Sequence, residues 1–296
     1  MKVLITGAGG YVGNSLVQFF AEKEIEVYAL YNFTSPTHMD ILPQVDWIQA
    51  DLRTKINDIE PVDVIIHAAT VHPLSRKVPN ALDYLDSNIN ATRNLLDYSI
   101  SCSAKLFIYL STVTIHGNIF VKELSENTPQ QQPGLLGMSK YFAERIVETY
   151  SKHVPSVILR LPGIVGPDLL SHGRPWLCNV LQKAVANNPI HIFNGSSSFN
   201  NVTDIEDIGN LITLLIKEWT SGTDVFNLAA QSPIPLKQVV ENIINQTQSV
   251  SKIIEEKNNK NSFFINIDKV MQKINFSPKI TEIMIRDFVK ANDLTL

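Results

Sequence analysis

Apolar residues fall along this chain in short runs, and the runs alternate with stretches of helical period. Lys2 to Thr6 is the first run, and beyond a glycine-rich turn the segment Ser15 to Phe20 continues at helical spacing. Further β-rich runs occupy Glu26 to Leu30, Trp47 to Ala50, Val62 to His67, Lys105 to Leu110 and Val157 to Leu161. Between them, Leu82 to Ser99 and Ser139 to Tyr150 carry apolar residues at every third or fourth position. This alternation predicts an α/β protein with a doubly wound parallel sheet and helices on both faces. After Gly166 and Pro167 the alternation weakens. Helices are expected over Pro175 to Asn187, Asp204 to Lys217, Leu236 to Gln246 and Lys279 to Lys290. Strands are expected at Pro189 to Phe193 and Val225 to Leu228, and an exposed loop at Glu255 to Ser262. The reading is a main domain over 1–166, re-entered near 204–230, with a smaller lobe formed by 167–203 and 231–296.

The turn after the first run concentrates glycine. Gly7, Gly9, Gly10 and Gly13 lie within thirteen residues, and the next glycine is Gly117. Gly7, Gly10 and Gly13 stand at the first, fourth and seventh places between a strand and a helix. In that setting the first glycine permits the turn, the second lets a pyrophosphate approach the backbone, and the third allows helix and strand to pack closely. Gly9 reads as a permissive turn position. The helix start then offers N–H groups and a positive dipole end to a diphosphate. The ribose selector departs from the usual pattern, in which an acid about 20 residues on binds the 2′-hydroxyl of NAD and an arginine favours the 2′-phosphate of NADP. Tyr31-Asn32-Phe33 ends the second strand with neither acid nor base, and no Lys or Arg lies between Lys23 and Arg53. Asn32 can hydrogen-bond a ribose hydroxyl, so the lack of a phosphate partner tilts the reading from NADP to NAD. Asp51 and Leu52 either reach the adenine or simply end a strand.

Composition narrows the partners. Of 296 residues, 44% are hydrophobic and 25 basic residues meet 29 acidic ones. No long basic run offers an electrostatic footprint for nucleic acid. No stretch approaches the roughly 20 apolar residues of a membrane span, and no charged n-region precedes an apolar core at the N-terminus. Cys102 and Cys178 lack metal-ligand spacing, so no metal site is expected and a reducing, cytoplasmic compartment fits. The expected partners are a small molecule and a second copy of the chain. The two helical segments at Leu82 and Ser139 either form a four-helix homodimer face or are buried within one chain.

The ordered motifs TGAGGYVG at 6 to 13, ADL at 50 to 52, DVIIHAA at 63 to 69, NINATRNLL at 88 to 96, FIYLSTVTIHG at 107 to 117, GMSKYFAE at 137 to 144, LRLPGIVGP at 159 to 167 and DIEDIGNLI at 204 to 212 span nearly the whole chain. Together they resemble the extended short-chain dehydrogenases/reductases, the NAD-dependent epimerase/dehydratase family. The resemblance implies a Rossmann-type sheet, a C-terminal substrate lobe, and hydride exchange between nicotinamide and a carbinol or ketone, often of a nucleotide sugar. It implies cofactor contacts from Gly7, Gly10, Tyr11, Val12, Gly13, Asn32, Asp51, Leu52, Ala68, Asn88 and Lys140. Thr112 takes the place of the residue that hydrogen-bonds the reacting hydroxyl, and Lys140 that of the lysine on the nicotinamide ribose; the alternatives are a strand-end hydroxyl and a solvated helix lysine.

One position breaks the pattern. The family's Tyr-x-x-x-Lys sets a phenol one helical turn before the lysine, and Leu136 stands there. Leucine moves no proton, and general acid-base help is typically worth roughly 10²- to 10⁴-fold. Tyr141, adjacent to Lys140, points about 100° away around the helix. His72, His116 and Glu123 are the other titratable candidates, with a packing role open for His116 and a loop role for His72. Val113 and Thr114 fill the place of the acid-lysine pair that some dehydratases use. Gly163 and Phe199-Asn200-Asn201 replace residues that bind nucleotide sugars in relatives, leaving Arg160 and Arg174 as candidate cations for a diphosphate, with a structural role open for Arg160 at its strand end. The expected function is NAD(P)-dependent oxidoreduction or epimerisation; a dinucleotide-binding sensor or assembly protein without turnover is the alternative.

Overall fold

Lys2–Thr6 forms strand β1, whose Val3, Leu4 and Ile5 are wholly buried because the strand has a neighbour on each side and helices on both faces. The structure, a computed structural model, describes residues 1–36, 42, 44–56, 59–73, 78–167, 175–256 and 261–292. After β1 the chain runs through α1 (Tyr11–Ala21), β2 (Glu26–Tyr31), β3 (Val45–Gln49) and β4 (Val64–His67). Then come α2 (Ala81–Tyr84), a π-helical stretch at Leu85–Asn90, α3 (Ala91–Ser101), β5 (Leu106–Thr112), α4 (Leu135–Thr149) and β6 (Ser156–Leu161). Helix α5 (Ile205–Glu218) and β7 (Thr223–Asn227) complete the sheet. Its order is 7-6-5-4-1-2-3, and β3, β2, β1, β4 and β5 pair in parallel. This is the doubly wound, Rossmann-type sheet, and its strand order reverses between β1 and β4, where the crevice for a ligand forms.

The helix expected over Leu82 to Ser99 begins at Ala81 and ends at Ser101, with π-helical turns in its middle. Its start is set by a capping box. The Asn80 side chain accepts from the N–H groups of Leu82 and Asp83, and the Asp83 carboxylate accepts from the N–H of Asn80. Helix α4 begins earlier than its apolar pattern suggests, at Leu135, directly after Gly134.

Two compact units divide the chain. One comprises Met1–Asn118, Pro129–Arg160 and Ile208–Phe226; the other comprises Ile119–Thr128, Leu161–Asp207 and Asn227–Leu296. The first unit holds a buried ion pair. Arg160 on β6 grips Glu144 on α4, with Nη2 2.8 Å from Oε2 and Nε 3.1 Å from Oε1. Ser111 on β5 donates to the same carboxylate. Arg160 therefore serves as a tertiary clamp and not as the diphosphate cation considered from sequence, because its fork is committed to a carboxylate inside the core. Arg174 lies outside the described residues.

The second unit is built from short strand pairs, of which the apolar pattern predicts Ile190–Phe193 and leaves the others unregistered. Val202–Asp204 pairs with Gly163–Val165, Ile253–Glu256 with Ile190–Phe193, and Phe264–Ile265 with Glu123–Leu124. Glu255 and Glu256 thus lie in an edge strand where a loop was expected. Asn200 is buried at the centre: its amide donates to the carbonyls of Ala230 and Ile265 and its oxygen accepts from the N–H of Ile265. Helices Pro175–Val185, Leu236–Gln246, Asp268–Ile274 and Thr281–Ala291 surround these pairs.

Removing one partner of a buried pair leaves the other charge uncompensated. Glu144→Gln is expected to cost about 3 kcal/mol in urea unfolding, and Glu144→Leu combined with Arg160→Met to recover most of that loss. Equal losses in the single and double variants would contradict this account of the clamp.

Candidate functional site

Three glycines converge on one carbonyl at the end of β1. Gly7 has φ +73°, and a Cβ there would lie 2.7 Å from the backbone nitrogen of Ala69. A Cβ at Gly13 would fall 2.2 Å from the Gly7 oxygen, driving α1 off the strand. Gly10 differs, since its nearest obstacle is the Gly7 oxygen at 3.3 Å and the residue is exposed. Gly7 and Gly13 are therefore demanded by the fold, whereas a Cβ at Gly10 would press on one atom, the Gly7 oxygen, and otherwise face outward from the turn. Gly9 is not a permissive position: a Cβ there would lie 1.9 Å from the carbonyl oxygen of Thr34, so the loop after β2 rests against it. Gly10 caps α1 with no side-chain hydrogen bond, and no acidic residue occupies the first turn. The positive end of the helix is thus not neutralised by a carboxylate of its own. A diphosphate fits this cradle, with Gly10, Val12 and the start of α1 toward it and Tyr11 packed inward.

Asn32 and Phe33 follow β2, and the Phe33 ring is exposed. Asp51 and Arg53 form a forked pair, Nη2 to Oδ2 at 2.6 Å and Nε to Oδ1 at 2.9 Å. The adjoining guanidinium holds the Asp51 carboxyl below the usual carboxylate range. That guanidinium also lies 5.7 Å from the Phe33 ring centroid. A base therefore does stand near the end of β2, delivered from the loop after β3, although its charge is matched by Asp51. The Leu52 side chain is buried in the core beneath this corner, which leaves Asp51 as the member of the pair with exposed polar atoms.

Ala68 follows β4 directly and borders Gly7. Asn88 sits in the π-helical stretch, wholly buried. Its Oδ1 accepts from the N–H of Val71 at 2.8 Å and from Thr70 Oγ1 at 3.0 Å, and its Nδ2 donates to Ser139 Oγ at 2.9 Å. Behind the cradle lie Thr6, His67 and Thr92, which sequence reasoning passed over because none belongs to a spacing that implies chemistry.

Thr112 ends β5. Its hydroxyl oxygen accepts from the N–H of Thr114 and meets Thr114 Oγ1 at 3.2 Å, so it caps the following turn and is half-buried. Lys140 is not a solvated helix lysine. It is buried, Nζ donates to the carbonyl of Leu110 at 2.8 Å, and the amine lies 4.7 Å from the Tyr109 ring centroid. Burial brings its ammonium down to about 7, with the Glu144 charge pulling the other way. Leu136 lies one helical turn before it on α4. Of the other candidates, His116 is wholly buried in the turn after β5, and Glu123 is exposed in an edge strand where it accepts from Asn266.

A parallel sheet, a glycine cradle at its switch point and a buried lysine beyond β5 define a dinucleotide-binding α/β protein. The chain belongs to the NAD dependent epimerase/dehydratase family, whose sequence profile matches residues 3–229. Among curated relatives, the protein named uncharacterized UDP-glucose epimerase YtcB of Bacillus subtilis is 27% identical over 304 residues, covering 94% of this chain and 93% of that protein. The low-salt glycan biosynthesis protein Agl12 of Haloferax volcanii is 22% identical over 256 residues, 82% of each. Among solved structures, the UDP-glucuronic acid 4-epimerase of Bacillus cereus in complex with NAD superposes with TM-score 0.82 at 19% identity over 98% of both chains. WbmG of Bordetella bronchiseptica, also in complex with NAD, gives TM-score 0.83 at 15% identity, covering 100% of this chain and 94% of that one. These structures share the fold described above.

Two outcomes separate fold from binding at this site. Gly13→Ala should lower the thermal midpoint by several degrees, since a backbone clash cannot be relieved by a rotamer. Gly10→Ala, whose Cβ would only press on the Gly7 oxygen, should lower the midpoint by less than Gly13→Ala and weaken NAD binding in calorimetry. The second outcome concerns Lys140. Its ordinary value is 10.5 and its native value about 7, so across that window the unfolded chain binds more protons and stability rises with pH. Lys140→Met should therefore stabilise the fold most at pH 6 and by steadily less toward pH 10, where thermal melts of the two forms should converge.

Proposed function

We propose that this chain is an NAD-dependent oxidoreductase or epimerase acting on a carbinol or ketone of a nucleotide sugar or related small molecule. The observation that carries the reading is the cradle: a backbone that excludes a side chain at Gly7 and Gly13 and leaves Gly10 exposed before an uncapped helix start. Family membership and the names of the relatives support the substrate class.

Bound NAD supplies a hydride acceptor and donor at its nicotinamide ring. The chain's own residues divide the remaining work. Backbone N–H groups at the start of α1 hold the diphosphate, Asn32 and Asp51 hydrogen-bond the adenosine half, and Ala68 and Asn88 shape the wall beyond β4. Lys140 holds the ribose on the nicotinamide side, and Thr112 orients the substrate oxygen. Leu136 neither gives nor takes a proton, so the substrate hydroxyl proton passes to water or to a group other than residue 136. The second unit, with 161–207 and 227–296, serves as the substrate lobe.

Leu136 also favours a second reading, a protein that binds the dinucleotide as a sensor or assembly partner without turnover. Calorimetry with NAD and NADP followed by assay with nucleotide sugars separates the two. Saturable NAD binding with turnover that Thr112→Ala abolishes supports the enzyme. Binding without turnover, and activity gained by Leu136→Tyr, supports the sensor. Failure to bind either dinucleotide sinks both.

We further infer a homodimer. Leu135, Met138 and Phe142 recur along one face of α4 and are 48%, 54% and 56% exposed, with Leu82 and Leu85 exposed on the adjoining α2 and π-helical stretch. A two-fold partner burying this stripe against its own copy is the simplest occupant. Phe142→Glu should shift the sedimentation coefficient from dimer to monomer; a parent that sediments as a monomer would refute the pairing.

A further inference from the structure

His67 ends β4 beside Thr6, its register partner at the end of β1, and both are wholly buried. The hydrogen bonds around them fix one direction of donation. Thr92 Oγ1 lies 2.7 Å from the backbone oxygen of Asn88, which can only accept, so the single hydroxyl proton of Thr92 is committed there. The same oxygen lies 3.0 Å from His67 Nε2 and must accept from it, which places the ring proton on Nε2. His67 Nδ1 is then bare and accepts from Thr6 Oγ1 at 2.7 Å. Thr6 Oγ1 in turn accepts from the N–H of Ala69 at 3.2 Å, the residue whose backbone limits the space at Gly7. Beyond Asn88 the same direction continues. Its Nδ2 donates to Ser139 Oγ, and Ser139 Oγ donates to the carbonyl of Leu136 at 3.0 Å. Burial, reinforced by the charge of Lys140, pushes the imidazole down to about 3, so the neutral ring that this chain requires is the form present near neutral pH.

We propose that His67 is a positioning residue for dinucleotide binding: through Thr6 it seats the phosphate loop, and through Thr92 it ties that loop to the π-helical stretch bearing Asn88 and thence to the helix bearing Leu136 and Lys140. The proposal rests on reading Gly7 to Gly13 as the dinucleotide cradle. None of Thr92, Ser139 or His67 needs to touch the cofactor for this. A neutral imidazole is suited to the task because it accepts on one nitrogen and donates from the other, across adjacent elements.

Nitrogen-15 spectra of the histidines in the full-length protein should show His67 as the neutral Nε2–H tautomer, without titration, from pH 5 to 8. A proton on Nδ1, or titration within that range, overturns the proposal. In calorimetry, Thr92→Val should weaken NAD binding about tenfold, equivalent to roughly 1.4 kcal/mol, and Thr92→Ser, which keeps both donor and acceptor, should restore it. Leu95→Ala, a truncation in the core on the same helix, should lower stability and leave NAD affinity at the parental value. Parental affinity in Thr92→Val, or an equal loss in Leu95→Ala, overturns the positioning role while leaving the cradle intact. A parent that binds no NAD removes the cradle reading and this one with it.

Discussion

The carbonyl of Gly7 is the point around which the nucleotide-binding half of the molecule is organised. It accepts from the N–H of Gly10 at 2.8 Å, and helix α1 crosses so close that any side chain at Gly13 would strike it. Such an approach has no tolerance, because backbone on both sides must move if either does. It fixes where α1 begins, and with it the direction of the helix dipole relative to the end of β1. Thr6, one residue earlier, enters the hydrogen-bond chain through His67 at the same corner. Backbone sterics and buried polar contacts thus specify one loop conformation from two sides, which is the arrangement a rigid binding cradle requires.

Two buried charges near the far end of the sheet illustrate different solutions to desolvation. Glu144 and Arg160 neutralise each other with forked geometry and a third donor from Ser111. Lys140, one turn from Glu144 on the same helix, donates to a backbone carbonyl instead, and its charge becomes conditional on pH. Were the amine paired with a carboxylate of its own, it would be a permanent cation. As built, it is a hydrogen-bond donor in either protonation state.

Much of this was legible from local pattern. The strand, glycine turn and helix at the N-terminus emerge from seven apolar positions and three glycines, and Leu236–Gln246 is read from its amphipathic period alone. What escaped depends on tertiary encounter. Glu144 and Arg160 look like surface charges until α4 and β6 are packed together. Gly9 looks permissive until the loop at Thr34 is brought over it, and Arg53 seems remote from β2 until β3 returns the chain to that edge. The π-helical stretch carries no periodic signature, because a six-residue departure is too short to shift the apolar phase noticeably. Likewise the two- and three-residue strands of the second unit are too short to display a period, unlike Ile190–Phe193, whose alternation was legible.

The hydrogen-bond chain ends on the carbonyl of Leu136, one helical turn before Lys140. That contact involves backbone, so it is indifferent to whether the side chain is a phenol or an isobutyl group. The turn of α4 that bears Leu136 is therefore held by Asn88 and Ser139 whatever side chain stands at position 136. A substitution confined to that side chain leaves these contacts, and with them the placement of the turn, in force. The contacts running from the glycine turn to Ser139 are made by backbone and buried polar groups, and the side chain at position 136 takes part in none of them.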